Sequence, residues 1–252
     1  MSSSSTVYLV TGAGRGIGLG LASQLAARPD VVVFAGVRDF SRKGGLDALA
    51  SAYPGRVHIL KVVSADRQNN DEAVQEIKKV AGRLDVVIAN AGVDVPKSSL
   101  DTSCEDMIHH LNVNTNGPLV LFQAAHELLR ASKSPKFVAI SSVMGSITIA
   151  PEFPTIQMAY GMSKAALNWV IRKLHQDNPD MTIFPINPGG VDTPGFADLL
   201  PQDPVLQQLL EHTPLISVEE SVRGILEQVD GAKRETHGGR FVDYTGLGKL
   251  LW

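Results

Sequence analysis

A chain of 252 residues, 44% hydrophobic and 19% charged, has the bulk to bury a large core and the size of one α/β domain spanning 1–252. Its net charge of -3 supplies no basic footprint for nucleic acid, and no apolar stretch approaches the length that spans a bilayer. A single cysteine, Cys104, excludes an intrachain disulfide, and Glu105 and Asp106 beside it would raise its pKa, so a buried or inert thiol is expected.

The chain opens on MSSSSTVYLV, with no basic segment before the apolar run. A cytoplasmic protein with a frayed tail over 2–5 is the expectation. Short Val/Ile-rich runs then recur: VYLVT at 7–11, VVVFAGV at 31–37, VHILKVV at 57–63, DVVIAN at 85–90, FVAIS at 137–141, TIFPIN at 182–187 and GRFVDY at 239–244. Between them, 17–28, 68–80, 106–129, 160–176 and 218–229 place apolar residues at the three- and four-residue intervals of an amphipathic helix. Seven apolar strands alternating with helices describe an α/β fold, a single Rossmann-type doubly wound domain whose mostly parallel seven-stranded sheet has helices on both faces. The Pro- and Leu-rich stretch at 192–216 breaks the alternation after the sixth strand. It would lie over the carboxyl ends of the strands, where such sheets bind ligands, and reads as a substrate lid.

The first strand runs into Thr11-Gly12-Ala13-Gly14-Arg15-Gly16-Ile17-Gly18 and then a helix. Glycines here allow a sharp turn and close approach to a pyrophosphate, which the N–H groups and dipole of the helix start stabilise. Strand before and helix after turn a weak glycine signal into a dinucleotide site. At the end of the second strand, Val37-Arg38 stands where NAD enzymes present a carboxylate to the ribose. A guanidinium there can grip the 2′-phosphate of NADP, and Arg15 offers a second charge, so NADPH/NADP+ is the expected cofactor. Asp39 could pair with Arg38 and weaken that preference.

The glycine turn, Asn90-Ala91-Gly92, Ser141-Ser142, Tyr160-Gly161-Met162-Ser163-Lys164 and Asn187-Pro188-Gly189 stand in this order after successive strands. Together they resemble the motifs of the short-chain dehydrogenase/reductase family from residue 7 to about 193. The glycine turn, the VRD after the second strand and the ending 238–252 are similar to sniffer-type carbonyl reductases and fungal polyketide (norsolorinic-acid-type) ketoreductases. The resemblance implies reduction of a ketone or aldehyde, with Tyr160 as proton donor, Lys164 as its helper and holder of the nicotinamide ribose, and Ser142 on the substrate oxygen. Asn114, one of three asparagines at 112–116, matches the family asparagine whose carbonyl holds a water relaying protons to the lysine. Ser64 stands where the family has an adenine-contacting aspartate. Asn90, Ala91 and Gly92 would pack under the cofactor, Asn90 tying strands together, and Pro188, Gly189, Val191 and Thr193 would fix the nicotinamide. Family members are commonly dimers or tetramers, which makes a homodimer or homotetramer an expectation.

Physical chemistry supports these roles. Tyr160 and Lys164, four apart on a helix, share a face. An ammonium about 5 Å from a phenolate, at an effective dielectric of about 20, attracts it by roughly 3 kcal/mol, enough to lower the phenol from about 10 by about two pH units. Between Ser142 and Tyr160 lie residues 143–159, a longer loop than many family members have. Ile147, Ile149, Phe153, Phe196, Leu199 and Leu200 in this loop and the lid suggest a bulky or aromatic ketone. Several rivals compete with this reading. A hydrolase elbow at Gly161-Met162-Ser163-Lys164-Ala165 needs a strand leading into the serine, which 157–159 does not provide. A zinc helix at His126-Glu127 lacks its second histidine, since Arg130 stands there, and adjacent His109 and His110 suit surface or packing. An enoyl reductase would use a wider tyrosine-to-lysine spacing. A nucleotide-sensing module without catalysis, and NADP-dependent alcohol oxidation, remain the alternatives to carbonyl reduction.

Overall fold

The computed structural model describes residues 5–210 and 214–252. Its elements run β1 (Thr6–Thr11), α1 (Gly16–Ala26), β2 (Val31–Val37), α2 (Leu46–Ala52), β3 (Val57–Lys61), α3 (Arg67–Ala81), β4 (Val86–Ala89), α4 (Cys104–Leu111), α5 (Gly117–Arg130) and β5 (Lys136–Ile140). There follow α6 (Met158–Asp177), β6 (Thr182–Asn187), α7 (Pro194–Ala197), α8 (Pro204–Leu210), α9 (Val218–Gly231), α10 (Arg234–His237) and β7 (Val242–Asp243). The strands lie in the order β3-β2-β1-β4-β5-β6-β7, with each neighbouring pair parallel. The doubly wound parallel sheet expected from the seven apolar runs is therefore present. Its winding reverses between β1 and β4, which opens a crevice at the carboxyl ends of these strands.

Alternation along each strand builds the two layers. Tyr8 and Val10 join one core with Val33, Ala35, Leu21, Leu25, Val222 and Ile225, while Val7 and Leu9 join the other with Phe34, Ile77, Phe122, Phe137 and Leu167. Because successive side chains of a strand point to opposite faces, a run such as VVVFAGV is apolar throughout; all seven residues of β2 are buried.

Several boundaries differ from the sequence reading, each for a local reason. Helix α2 carries only Leu46 as a buried residue, too little apolar periodicity to be seen in advance. The predicted strand over 239–244 shrinks to Val242–Asp243, since Gly239 adopts a left-handed φ of 64°. Cys104, expected buried or inert, is exposed at the first residue of α4, where the capping box of Ser103 and Asp106 sets the helix start. The single helix expected over 106–129 is divided into α4, a π-helical turn at Asn112–Asn116 and α5. Pro118 has no N–H to donate to the carbonyl four residues earlier, that of Asn114, and Gly117 N–H reaches back instead to the Asn112 carbonyl.

Residues 2–4 of the expected tail and 211–213 of the stretch read as a lid lie outside the described residues. Among the described residues no helix is long and apolar enough to cross a membrane.

Candidate active site

The turn after β1 is closed by contact as well as by conformation. Gly12 has φ 64° and Gly16 φ 53°, a region that glycine enters without penalty. A Cβ on Gly18 would stand 2.3 Å from the Gly12 carbonyl oxygen and 2.6 Å from Asn90 Nδ2. Gly14 meets the loop after β2 as closely, its imagined Cβ 2.3 Å from the Arg42 carbonyl oxygen. Gly16, Ile17 and Gly18 thus form the first turn of α1 directly against the crevice, with the helix's first N–H groups unpaired within it. Backbone this close, at a helix start, is a cradle for a pyrophosphate.

The two arginines take different positions. Arg15 Nη1 lies 3.3 Å from Asp198 Oδ2, and both side chains are exposed, so the glycine turn is joined to the segment after β6. Arg38 is exposed just past β2. Asp39 accepts from Ser41 N–H at 2.9 Å, and among the described residues no ion pair joins it to Arg38. Beyond β3, Ser64 packs against Gly117, and Ala65 next to it has φ 60°, a strained value for a residue with a Cβ.

Asn90 stitches β4 to the glycine turn. Its N–H donates to Thr11 Oγ1 at 3.0 Å and its Nδ2 to the Thr11 carbonyl at 2.9 Å, while Ala91 N–H donates to the same hydroxyl at 3.1 Å. Gly92 leaves room for what lies beyond it: a Cβ there would be 3.2 Å from Asn114 Oδ1 and 3.7 Å from Lys164 Nζ. Asn114, buried in the π-helical turn, holds Val93 from both sides, accepting from its N–H at 2.8 Å and donating to its carbonyl at 2.8 Å. It also donates to Ser163 Oγ at 2.9 Å. Asn112 and Asn116 bond each other on the exposed side, so of the three asparagines Asn114 is the one beside the lysine.

Ser142, Tyr160 and Lys164 come together at the ends of β5 and α6. Ser142 accepts from Met144 N–H at 3.1 Å, and its hydroxyl acts to lower the pKa of the Tyr160 phenol. Asn187 accepts from Val143 N–H at 3.0 Å and donates to Asp243 at 2.8 Å, while Asn168 accepts from Ser141 at 2.6 Å and donates to the Gly145 carbonyl at 3.1 Å. The turn carrying Ser142 is thereby fixed to β6 and to α6. Lys164, 4% exposed, donates from Nζ to the Ile140 carbonyl at 2.8 Å and lies 5.6 Å from the centre of the Tyr160 ring.

Burial lowers the Lys164 ammonium to about 8, against the opposing charge of Asp94, which leaves it mostly charged at neutral pH. The phenol departs from expectation. Burial first, and the charge of Asp94 second, push Tyr160 above its ordinary value despite the lowering influence of the Ser142 hydroxyl. Desolvation of the phenol thus works against the lowering that the nearness of the lysine predicts.

After β6, Gly189 takes φ 86° and Ser221 Oγ donates to the Pro188 carbonyl at 2.6 Å. Val191 is buried and bridged to Ile216. Thr193 Oγ1 accepts from Phe196 N–H at 3.1 Å; capping α7 uses a lone pair and keeps the hydroxyl hydrogen for another acceptor. The loop over 145–157 runs beside α6. Ile147, 78% exposed, and Phe153 line a cleft of about 550 Å³ against Gly161, Met162 and Ala165, and Tyr160 is not in its wall. These two side chains belong to the outer flank of α6, because Tyr160 and Lys164 occupy another face of that helix.

Among the described residues no cluster of three His, Cys, Asp or Glu could hold a metal. Ser163 is fully buried inside α6 and donates to the Tyr160 carbonyl at 2.7 Å, which is no nucleophile's position. His110, also buried, accepts from Val95 N–H at 3.1 Å through Nε2 and bonds the Asp106 carbonyl at 2.8 Å through Nδ1, a packing role. Sequence reading passed over Asp94, Gln157 and Asn168. Asp94 alone had a signal, as a carboxylate two residues past Asn90-Ala91-Gly92.

The geometry defines a dinucleotide-type crevice with a tyrosine, lysine and serine at its end. The family model described as short chain dehydrogenase matches residues 6–204, and the chain belongs to that family, a class of oxidoreductases. It is 38% identical over 249 residues to the protein of Penicillium aethiopicum named short chain dehydrogenase gsfK, covering 97% of this chain and 98% of that one. To the norsolorinic acid ketoreductase of Aspergillus parasiticus it is 36% identical over 255 residues, covering 98% and 91%. Among solved structures, the NADPH-bound carbonyl reductase from chicken fatty liver superposes with a TM-score of 0.86 at 28% identity, covering 98% and 99%.

Proposed function

We propose that this chain is an NADPH-dependent carbonyl reductase that converts a ketone or aldehyde to an alcohol. The observation that carries the reading is the convergence of Ser142, Tyr160 and Lys164 at the strand ends next to the glycine turn. Gly12, Gly14, Gly16, Ile17 and Gly18 would hold the pyrophosphate, Arg15 and Arg38 the 2′-phosphate, and Ser64 the adenine side. Asn90, Ala91 and Gly92 would floor the site, with Lys164 on the ribose and Pro188, Gly189, Val191 and Thr193 at the carboxamide. NADPH, when bound, supplies the hydride to the carbonyl carbon.

The chain's own residues handle the oxygen. Ser142 donates a hydrogen bond to it, and Tyr160 gives it a proton as negative charge develops. The Lys164 ammonium stabilises the phenolate left behind and would resupply its proton, and water held by the Asn114 backbone carbonyl, which Pro118 cannot bond, would return a proton to the lysine. The described part of the stretch over 192–216 would cover the substrate as a lid, and Phe196, Leu199 and Leu200 in it support a bulky or aromatic ketone. We place the protein in the cytoplasm, where an unpaired cysteine stays reduced.

Purified protein should consume NADPH with polycyclic or aromatic ketones faster than with small aliphatic ones, followed by the loss of its absorbance. Binding without turnover across a broad carbonyl panel would instead make the chain a sensor, and preference for the smallest ketones would remove the substrate assignment. Cofactor choice gives a second expectation. Arg38→Asp removes a cation and places a carboxylate at the ribose, so affinity for NADPH should fall by about tenfold or more while NADH is spared; titrating both cofactors checks this, and equal losses would rule out Arg38 as the phosphate partner.

A further inference from the structure

Asp94 sits where β4's loop meets the first turn of α6. Its Oδ2 accepts a short hydrogen bond from Gln157 Nε2, and Gln157 caps the helix that carries Tyr160 and Lys164. The Gln157 carbonyl accepts from Gly161 N–H at 2.8 Å, so side chain and backbone of one residue link the loop to the catalytic turn. The loop itself is clamped by the two Asn114 bonds to Val93. The other carboxyl oxygen, Oδ1, is shut off from solvent and has no hydrogen-bond partner among the described residues. Such an atom is costly to keep unless its charge acts on a neighbour.

We propose that Asp94 is a positioning residue for the Tyr160–Lys164 pair: its Gln157 bond fixes the start of α6, and its buried, unpartnered second oxygen sets a carboxylate charge against that helix turn. This rests on the carbonyl-reductase reading for its role in turnover, but not for the charge coupling itself. The groups facing Asp94 support it. Its charge is felt by Lys164, the cation, and by Tyr160 on α6; Asp203, in the loop before α8, acts on Asp94 in turn, and its carboxyl is fully buried and already bonded by Ile156, Val205 and Leu206 N–H groups. From α4, His110 binds Val95 but faces the backbone. Lys97, three residues on, is taken by Asp106 at 2.7 Å. Lys164 is thus the cation on which the Asp94 charge bears. Burial raises Asp94 itself to about 7, so its influence on the lysine is greatest at and above that pH.

The test is Asp94→Asn, which keeps the shape and an acceptor for Gln157, with Asp94→Ser as a second variant should the first fold poorly. Carbon-13 lysine NMR, with Lys164 assigned from a Lys164→Arg sample, reads the ammonium without any turnover. Its titration should move down by about half a pH unit or more in the Asn variant, and the pH profile of NADPH-driven ketone reduction should narrow on its alkaline side while NADPH affinity stays within about twofold. An unmoved lysine titration, or a uniform drop in activity with an unmoved profile, would overturn the proposal by leaving Asp94 merely structural. A moved titration in a protein that reduces no carbonyl would defeat the functional reading and keep the coupling.

Discussion

Tyr160→Phe is expected to lower carbonyl turnover by a factor on the order of 10²–10⁴, the range for losing a positioned general acid, while NADPH still binds. In the proposed reaction the phenol is the group that gives the substrate oxygen its proton; Ser142 can donate a hydrogen bond but not a proton at neutral pH. Removing one oxygen atom leaves the ring packing, the Ser163 bond to the Tyr160 carbonyl and the Lys164 bond to Ile140 intact. Single-turnover kinetics with a fixed NADPH concentration, beside a fluorescence titration of the cofactor, would separate the two effects. A variant that retained most of its turnover would show that the proton comes from elsewhere, and the assignment of Tyr160 would fail.

Gly18→Ala is expected to act on the opposite property. Its new Cβ would fall 2.3 Å from the Gly12 carbonyl oxygen and 2.8 Å from the Gly12 carbonyl carbon, both backbone atoms that cannot swing aside. Either α1 retreats from the sheet or the turn opens, and both carry the N–H groups away from the pyrophosphate; a misfit of this kind costs about 1–3 kcal/mol. Since the same shift displaces the Asn90 amide, 2.6 Å from that Cβ, stability should fall as well as affinity. We expect the dissociation constant for NADPH to rise by about ten- to a hundredfold, with the midpoint of thermal unfolding lower by several degrees, on a scale of roughly 2–4 °C per kcal/mol for a domain of this size. Unchanged cofactor affinity would mean that the turn is only a packing device.

How much of this could be read from the residues alone follows from where the information lies. Strands such as VVVFAGV are buried on both faces, so each residue reports the same thing and the signal is strong. Tyr160 and Lys164 are one helical turn apart, and spacing alone places them together. Glycines before a helix announce a turn, but that Gly14 meets Arg42 and Gly18 meets Gly12 depends on how separate segments fold against each other. Asp94 and Gln157 are 63 residues apart, and nothing local marks either as the other's partner. The phenol's acidity is legible only in part: the lysine's nearness follows from spacing, whereas the desolvation that opposes it depends on the whole surrounding shell. Ile147 and Phe153 were apolar and near the right strand, yet side-chain type does not reveal which flank of α6 a loop will cover.

Pro118 has one more implication. A helix interrupted by a contact can anneal when that contact loosens during breathing or ligand exchange, whereas an imino acid has no hydrogen to offer in any conformation. The opening at Asn114 is therefore a covalent property of the backbone, written into the chain at synthesis, and it persists through every substrate cycle in which α4 and α5 remain wound.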